Sequence, residues 1–290
     1  MPSHPSRVVD FPQSDPLPEL PIELGPNEEG VGIWVPTEKH RLLCDWLIGT
    51  RHAWKGWSHR VLIDPFCGPG RIQVKGEKNT RDGGSIVAWR QSLANQAPFT
   101  QMLVGDISES RATANNQRLT ALNAPVEHFV GAAQTTISEM IKRVPQRRCL
   151  TLAYIDPYNL EFLSFDIIQT LAKLPTVDFL VHFSVYDLQR NIELETDADR
   201  SRFDSAAPNW RKVIDPNKYG KLVLREEFFK YWVELIKGLG FKISKSMPLV
   251  GGDDNSPRYR LVFFSRNEKI ASKVWTDVAQ GNNRMLNFGD

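Results

Sequence analysis

Apolar, β-branched runs recur along the chain, and each closes on an acid, a glycine or a small polar residue. Val61-Leu62-Ile63 ends in Asp64, and Met102-Leu103-Val104-Gly105 ends in Asp106. Val126 to Val130 ends in Gly131, Cys149 to Ile155 in Asp156, and Val177 to Phe183 in Ser184. Short runs of this kind, bounded by turn residues, predict strands buried on both faces of a parallel sheet. Helical spacing lies between them. Leu43, Trp46, Leu47 and Trp54 share one face of a segment opening at Thr37, while Ser85 to Asn95 and Ser108 to Leu122 read as further helices. Thr37 and Ser85 are the candidate caps. Beyond an irregular, charged stretch over 193–215, anchored at Trp210, Arg225 to Leu239 reads as an aromatic-rich amphipathic helix. Phe241 to Val250 and Tyr259 to Ser265 read as an antiparallel hairpin around a Gly-Gly-Asp-Asp-Asn turn, with a last helix over Glu268 to Val278. The expected fold is α/β and Rossmann-like: a mainly parallel sheet, a C-terminal antiparallel hairpin and helices on both faces.

Residues 1–36 break this pattern. Pro2, Pro5, Pro12, Pro16, Pro18, Pro21, Pro26 and Pro36 interrupt a stretch with little periodic hydrophobicity. Two readings stand: an extended arm whose Phe11, Leu17, Leu20 and Ile22 dock into grooves, or a disordered tail. The remainder, 37–290, reads as a single α/β domain. A net charge of +2 calls for no nucleic-acid partner by itself, so any basic surface must be local. Cys44, Cys67 and Cys149 lie far apart and form no C-x-x-C pair, which argues against a zinc site or disulfide frame. With no signal-like apolar core and no apolar run of bilayer length, a cytoplasmic protein without a membrane partner is expected.

The candidate chemistry sits where the strands stop. Open α/β sheets bind ligands beyond the carboxyl ends of their strands, so Asp64, Asp106 and Asp156 should share one rim. Gly68 and Gly70 let a ligand approach the main chain closely. Their spacing is neither G-x-G-x-x-G nor G-x-x-x-x-G-K-[ST], which lowers the case for NAD or for a nucleotide triphosphate. Asp106 can accept hydrogen bonds from both hydroxyls of a ribose. Lys39, a cation where the helix dipole favours anions, either reaches a ligand carboxylate or is solvated. The polar stretch 72–82, led by Arg71, either clamps phosphates or lies in solvent. Asp156 and Tyr158 either hold and stack a flat amino-bearing substrate, or Asp156 touches only the cofactor while Tyr158 packs on a loop. Arg190 and Asn191 fall in a loop expected to cover the pocket, and His182 reads as a satisfied core histidine. No His, Cys or carboxylate cluster has metal-ligand spacing, so no metal ligand is named.

Asp64-Pro-Phe-Cys-Gly-Pro-Gly70 is D-x-F-x-G-x-G, which resembles motif I of the class I S-adenosylmethionine-dependent methyltransferases. Thr37 to His40, that loop, Gly84-Ser85, Asp156-Pro157-Tyr158, Phe183 to Asn191, Trp210 and Pro257 to Ser265 follow in an order similar to the three-Cys-motif partner protein family of bacteria and phages, over roughly 30 to 280. The resemblance implies a methyltransferase-like sheet and an S-adenosylmethionine pocket at Asp64, Phe66, Gly68, Gly70 and Asp106, to which the reading of the residues adds Lys39, Ser85, Ile107 and Gln134 as cofactor-binding candidates. It further implies Asp156 and Tyr158, as in the D-P-P-Y motif of amino-methylating enzymes, and Arg190 in the active site; Asp156 and Tyr158 are the catalytic candidates, and Arg71 and Asn191 join Arg190 on the substrate side from their place in the chain. Two departures stand out. Tyr158-Asn159 replaces a frequent Phe-Gly, and the acid expected after the third strand is missing near Ala133, leaving Gln134 to meet adenine. The expected function is methyl transfer to an amino group of a nucleic-acid base. Alternatives are a non-catalytic scaffold that binds nucleic acid or a three-Cys-motif companion protein, and a metal-dependent nuclease or toxin.

Overall fold

Parallel strands need crossovers, and the helical segments of the sequence supply them on alternate sides of one sheet. The computed structural model describes residues 6–25, 27–197, 202–252 and 257–280. Its sheet strands are β1 (His59–Asp64), β4 (Gln101–Asp106), β5 (Val126–Val130), β6 (Cys149–Ile155), β7 (Val177–Ser184), β8 (Lys242–Ile243), β9 (Leu249–Gly251) and β10 (Pro257–Ser265). They run in the order β5-β4-β1-β6-β7-β10-β8, with β9 also on β10. The first five are mutually parallel. β10 is antiparallel to β7, from Tyr259 opposite Ser184 to Ser265 opposite Asp178. This is the strand plan of the class I methyltransferase sheet, with the direction of winding reversing between β1 and β6. A crevice opens at such a switch point. The C-terminal hairpin forms as β9–β10; residues 253–255 of its expected turn lie outside the described residues.

Period-two alternation sorts the strand residues into two cores. Val61, Ile63, Ala153, Ile155, Phe179, Val181 and Phe183 face one layer of helices. That layer holds α4 (Ala133–Arg143), α5 (Phe165–Leu171) and α8 (Lys221–Gly238). From α8, Leu224, Phe228, Trp232 and Ile236 follow the helical repeat into the core. Leu62, Met102, Val104, Leu152, Tyr154, Leu261 and Phe263 face the opposite layer, α1 (Arg41–Lys55), α2 (Gly84–Ala94) and α9 (Trp275–Ala279). The remaining helices are α3 (Glu109–Ala121), α6 (Val185–Asn191) and α7 (Trp210–Val213). Among the described residues, no helix is long and apolar enough to cross a membrane.

Three local expectations are corrected. The stretch 72–82 is not a plain loop: β2 (Arg71–Gln73) and β3 (Thr80–Asp82) pair there as a hairpin. The segment expected to be a loop after β7 is helix α6, capped by Ser184, whose hydroxyl accepts the Asp187 N–H. Thr37 caps nothing. It lies inside a π-helical turn, Val35–His40, ahead of α1, and its hydroxyl donates to the Ile33 carbonyl.

The arm is laid across the domain. Glu23 and Val31 exchange backbone hydrogen bonds with Arg71, Gln73 and Lys75, adding a third, parallel edge to the β2–β3 hairpin. Gly30 is required here, since a Cβ would come within 2.7 Å of the Lys75 amide nitrogen and φ is +108°. Leu17, Leu20 and Ile22 are half-buried, whereas Phe11 is exposed. The buried guanidinium of Arg118, on α3, donates to both oxygens of Asp15 and to the carbonyls of Leu17, Leu20 and Pro21. It also donates to the Pro69 carbonyl at 2.7 Å, tying the arm to the glycine loop.

Candidate cofactor and acceptor site

The rim expected from the strand ends exists. β4, β1 and β6 are adjacent, so Asp106, Asp64 and Asp156 come side by side at their carboxyl ends. Asp64 is 1% exposed and accepts the Phe66 N–H at 3.1 Å. Burial, and then the neighbouring Asp156 carboxylate, push its carboxyl well above the usual range. The loop that follows has φ of +59° at Gly68 and +85° at Gly70, which favour glycine. A Cβ on Gly70 would press Ile86 at 3.3 Å and the Asn115 amide at 3.4 Å. Asn115, on α3, fixes the loop by donating to the carbonyls of Cys67 and Gly68.

Protein cations engage two of these acids. Lys39 forms an ion pair with Asp156 and sits 5.6 Å from the centroid of the Tyr259 ring. Asp106 accepts the Ser108 N–H at 2.8 Å and the Arg111 guanidinium at 3.3 Å, and Arg111 is itself held by Glu23 of the arm. Arg111 also lies against the open side of Gly68, 3.4 Å from where a Cβ would stand. A ligand on Asp106 therefore exchanges with Arg111, and one that needs Lys39 takes it from Asp156. At the mouth, Tyr158 is 62% exposed and its carbonyl accepts the Tyr259 hydroxyl. Behind it, Arg190 and Arg258 stack on Tyr186, at 5.4 and 4.1 Å from the ring centroid.

Not every expected residue lies where it could meet a ligand. Arg71 is buried, in ion pairs with Asp82 and Asp15 and hydrogen-bonded to Thr80, so its charge is consumed in the fold rather than offered to substrate. Ser85 is neither cap nor exposed ligand: Gly83 takes the cap position of α2, and the Ser85 hydroxyl is bonded to Asn115. Asn191 turns back onto Asp187 at 2.7 Å, while Arg190 is exposed. Phe66 is half-buried against the core beneath the loop. Ile107 is 72% exposed next to Asp106, and Gln134 is exposed in the first turn of α4, beyond the end of β5.

Glu23, Arg111, Asn115 and Arg118 escaped the sequence reading. Arg111, Asn115 and Arg118 recur at i, i+4 and i+7, so a polar stripe on one face of α3 was the available signal. Among the described residues, no group of three or more His, Cys, Asp or Glu side chains is placed to hold a metal ion. A cavity of about 700 Å³ lies between the arm, the β2–β3 hairpin and His40, and Asp64, Asp106 and Asp156 do not line it.

No protein-family model matches the chain, and no curated protein matches it in sequence. Solved structures do share its chain path. A Bacillus cereus O-methyltransferase in complex with SAH is 9% identical with a TM-score of 0.44, over 79% of this chain and 80% of its own. The O-methyltransferase TomG of Streptomyces achromogenes, in complex with SAM, is 15% identical with a TM-score of 0.43, over 78% of each chain. A Legionella pneumophila protein is 10% identical with a TM-score of 0.48, over 87% of this chain and 92% of its own. At such values the likeness is one of chain path, and the chemistry rests on this chain's own residues.

Proposed function

We propose that the protein is an S-adenosylmethionine-dependent methyltransferase acting on an amino group of a nucleic-acid base. The observation that carries this reading is the row Asp106, Asp64, Asp156 on adjacent strand ends, beside a loop whose glycines adopt left-handed backbone angles. The donor set fits the cofactor. Asp106 would hold the ribose hydroxyls in exchange for Arg111, and Lys39 would turn to the methionine carboxylate. Gly68 would admit it on the side that Arg111 now covers, Gly70 packs the loop against Ile86 and Asn115, and Ile107 and Gln134 would lie beside the adenine. The bound cofactor supplies an already activated methyl group, so the protein's task is alignment. Asp156 accepts a hydrogen bond from the acceptor nitrogen as positive charge grows there, and Tyr158 offers an exposed ring to a base. Arg190 and Arg258 at the same mouth favour a phosphate backbone. Incubation with methyl-labelled cofactor and pools of DNA, RNA, protein and small molecules tests the reading. Label should enter nucleic acid with the native chain and fall at least a hundredfold with Asp156→Ala; label confined to another pool would overturn the acceptor class.

A second reading draws on the same crevice. Lys39 on Asp156 and Arg111 on Asp106 satisfy both acids from within the protein, as suits a non-catalytic scaffold for a companion protein, such as one carrying the three-Cys motif, or for nucleic acid. It predicts no label transfer to any pool and a partner complex that survives Asp156→Ala.

A further inference from the structure

His182 is 0% exposed in the middle of β7, and neither ring nitrogen has a hydrogen-bond partner among the described residues. Two neighbours share that condition, the Tyr154 hydroxyl and Nδ1 of His40. A buried polar group without a partner is destabilising, and native folds keep few of them. The imidazole is held in place by rings: Tyr154 meets it edge-on with centroids 5.2 Å apart, and Tyr259 does so at 6.0 Å. Its Nδ1 looks at Asp156, whose Oδ1 is 3.9 Å away. That gap is roughly 1 Å longer than a hydrogen bond. The other carboxylate oxygen of Asp156, Oδ2, is paired with Lys39. Asp156 thus lies between a cation that holds it and an unused donor just out of reach.

We propose that His182 is a positioning residue for Asp156: once Lys39 turns to the cofactor carboxylate, the His182 Nδ1–H donates to Asp156 and sets that carboxylate toward the acceptor. The proposal rests on the cofactor reading above for what draws Lys39 away. It differs from a static pairing in its consequence for charge. An ammonium group neutralises Asp156, whereas a neutral imidazole orients it and leaves its negative charge available to the acceptor nitrogen. Burial pushes the His182 pKa well below its usual value, so the ring stays neutral and keeps one N–H to give. Cofactor occupancy and acceptor readiness are coupled through a single lysine.

The test is nitrogen NMR on the full chain labelled with ¹⁵N-histidine, with the His182 signals identified by their loss in His182→Gln. In Lys39→Met without ligand, the Nδ1–H proton of His182 should move downfield as it gains Asp156 as acceptor. Asp156→Ala on that background, which removes the acceptor oxygen, should return it. Saturating S-adenosylhomocysteine should produce the same movement in the native chain. Lys39→Gln, which keeps a neutral polar tip, serves if Lys39→Met does not fold. An unmoved His182 signal in the Lys39 variant overturns the pairing. S-adenosylhomocysteine that binds by calorimetry but leaves the signal in place overturns the exchange. Absence of any binding heat counts against the cofactor reading instead, and the Lys39 variant then decides the pairing alone.

Discussion

Replacing Arg118 by methionine should undock the N-terminal arm while leaving the sheet intact. The guanidinium is buried and bridges Asp15, three carbonyls of the arm and the Pro69 carbonyl of the glycine loop. Methionine fills similar space but donates nothing. Among the described residues, it leaves the Asp15 carboxylate with only the more distant Arg71, at 3.7 Å, as an ion-pair partner. Removing one member of a buried pair costs about 3–5 kcal/mol, or roughly a hundred- to several-thousand-fold in an equilibrium constant. The chain can escape most of that cost, because the arm's carbonyls regain water if the arm lifts off. Local opening therefore comes before global unfolding. Hydrogen exchange read by mass spectrometry is the assay. Protection at Glu23 and Val31, whose amides bond to Arg71 and Gln73, should fall by about two orders of magnitude or more. Protection in β1 and β6 should hold. An arm that stays protected, or a loss spread evenly through the central strands, would refute the reasoning.

Three further outcomes follow from other parts of the structure. Asp178 is buried at the start of β7, and burial lifts its pKa from about 3.8 to about 6 against an opposing hydrogen bond from Ser265. The native state therefore keeps a proton that the unfolded chain releases, and stability falls as pH rises from about 4 to about 6. At about 1.4 kcal/mol per pH unit the loss is about 3 kcal/mol by neutral pH. Asp178→Asn should be more stable at pH 7 by up to that amount in urea unfolding, with the gain vanishing near pH 4; a gain equal at both pH values would contradict this. Gly83→Ala would put a Cβ within 2.9 Å of the Gly70 backbone, so cofactor binding heat should drop sharply. Gly76→Ala, which meets open space at φ +77°, should cost roughly 1 kcal/mol of stability and leave binding unchanged.

The sheet and its row of acids were legible because periodicity is local: apolar runs ending in Asp64, Asp106 and Asp156 announce strands and their carboxyl ends together. Partners are not local, and there the sequence reading failed. Nothing near Arg71 tells that Asp82 and Asp15 consume its charge, nor near Lys39 that it meets Asp156. His182 was legible as a core residue, but its unpartnered nitrogens depend on three strands and a π-helical turn meeting. Helix α6 stands where a covering loop is expected, although its local signal lies in the sequence: the Ser184 hydroxyl accepts the Asp187 N–H three residues on.

Calorimetric titration with S-adenosylhomocysteine tests the central claim most directly. The native chain should bind one equivalent, with affinity reduced at least tenfold in Asp106→Ala. Well-folded native protein that gives no heat, or an Asp106→Ala chain that binds as tightly as the native one, would contradict the placement of an adenosyl group beside β4.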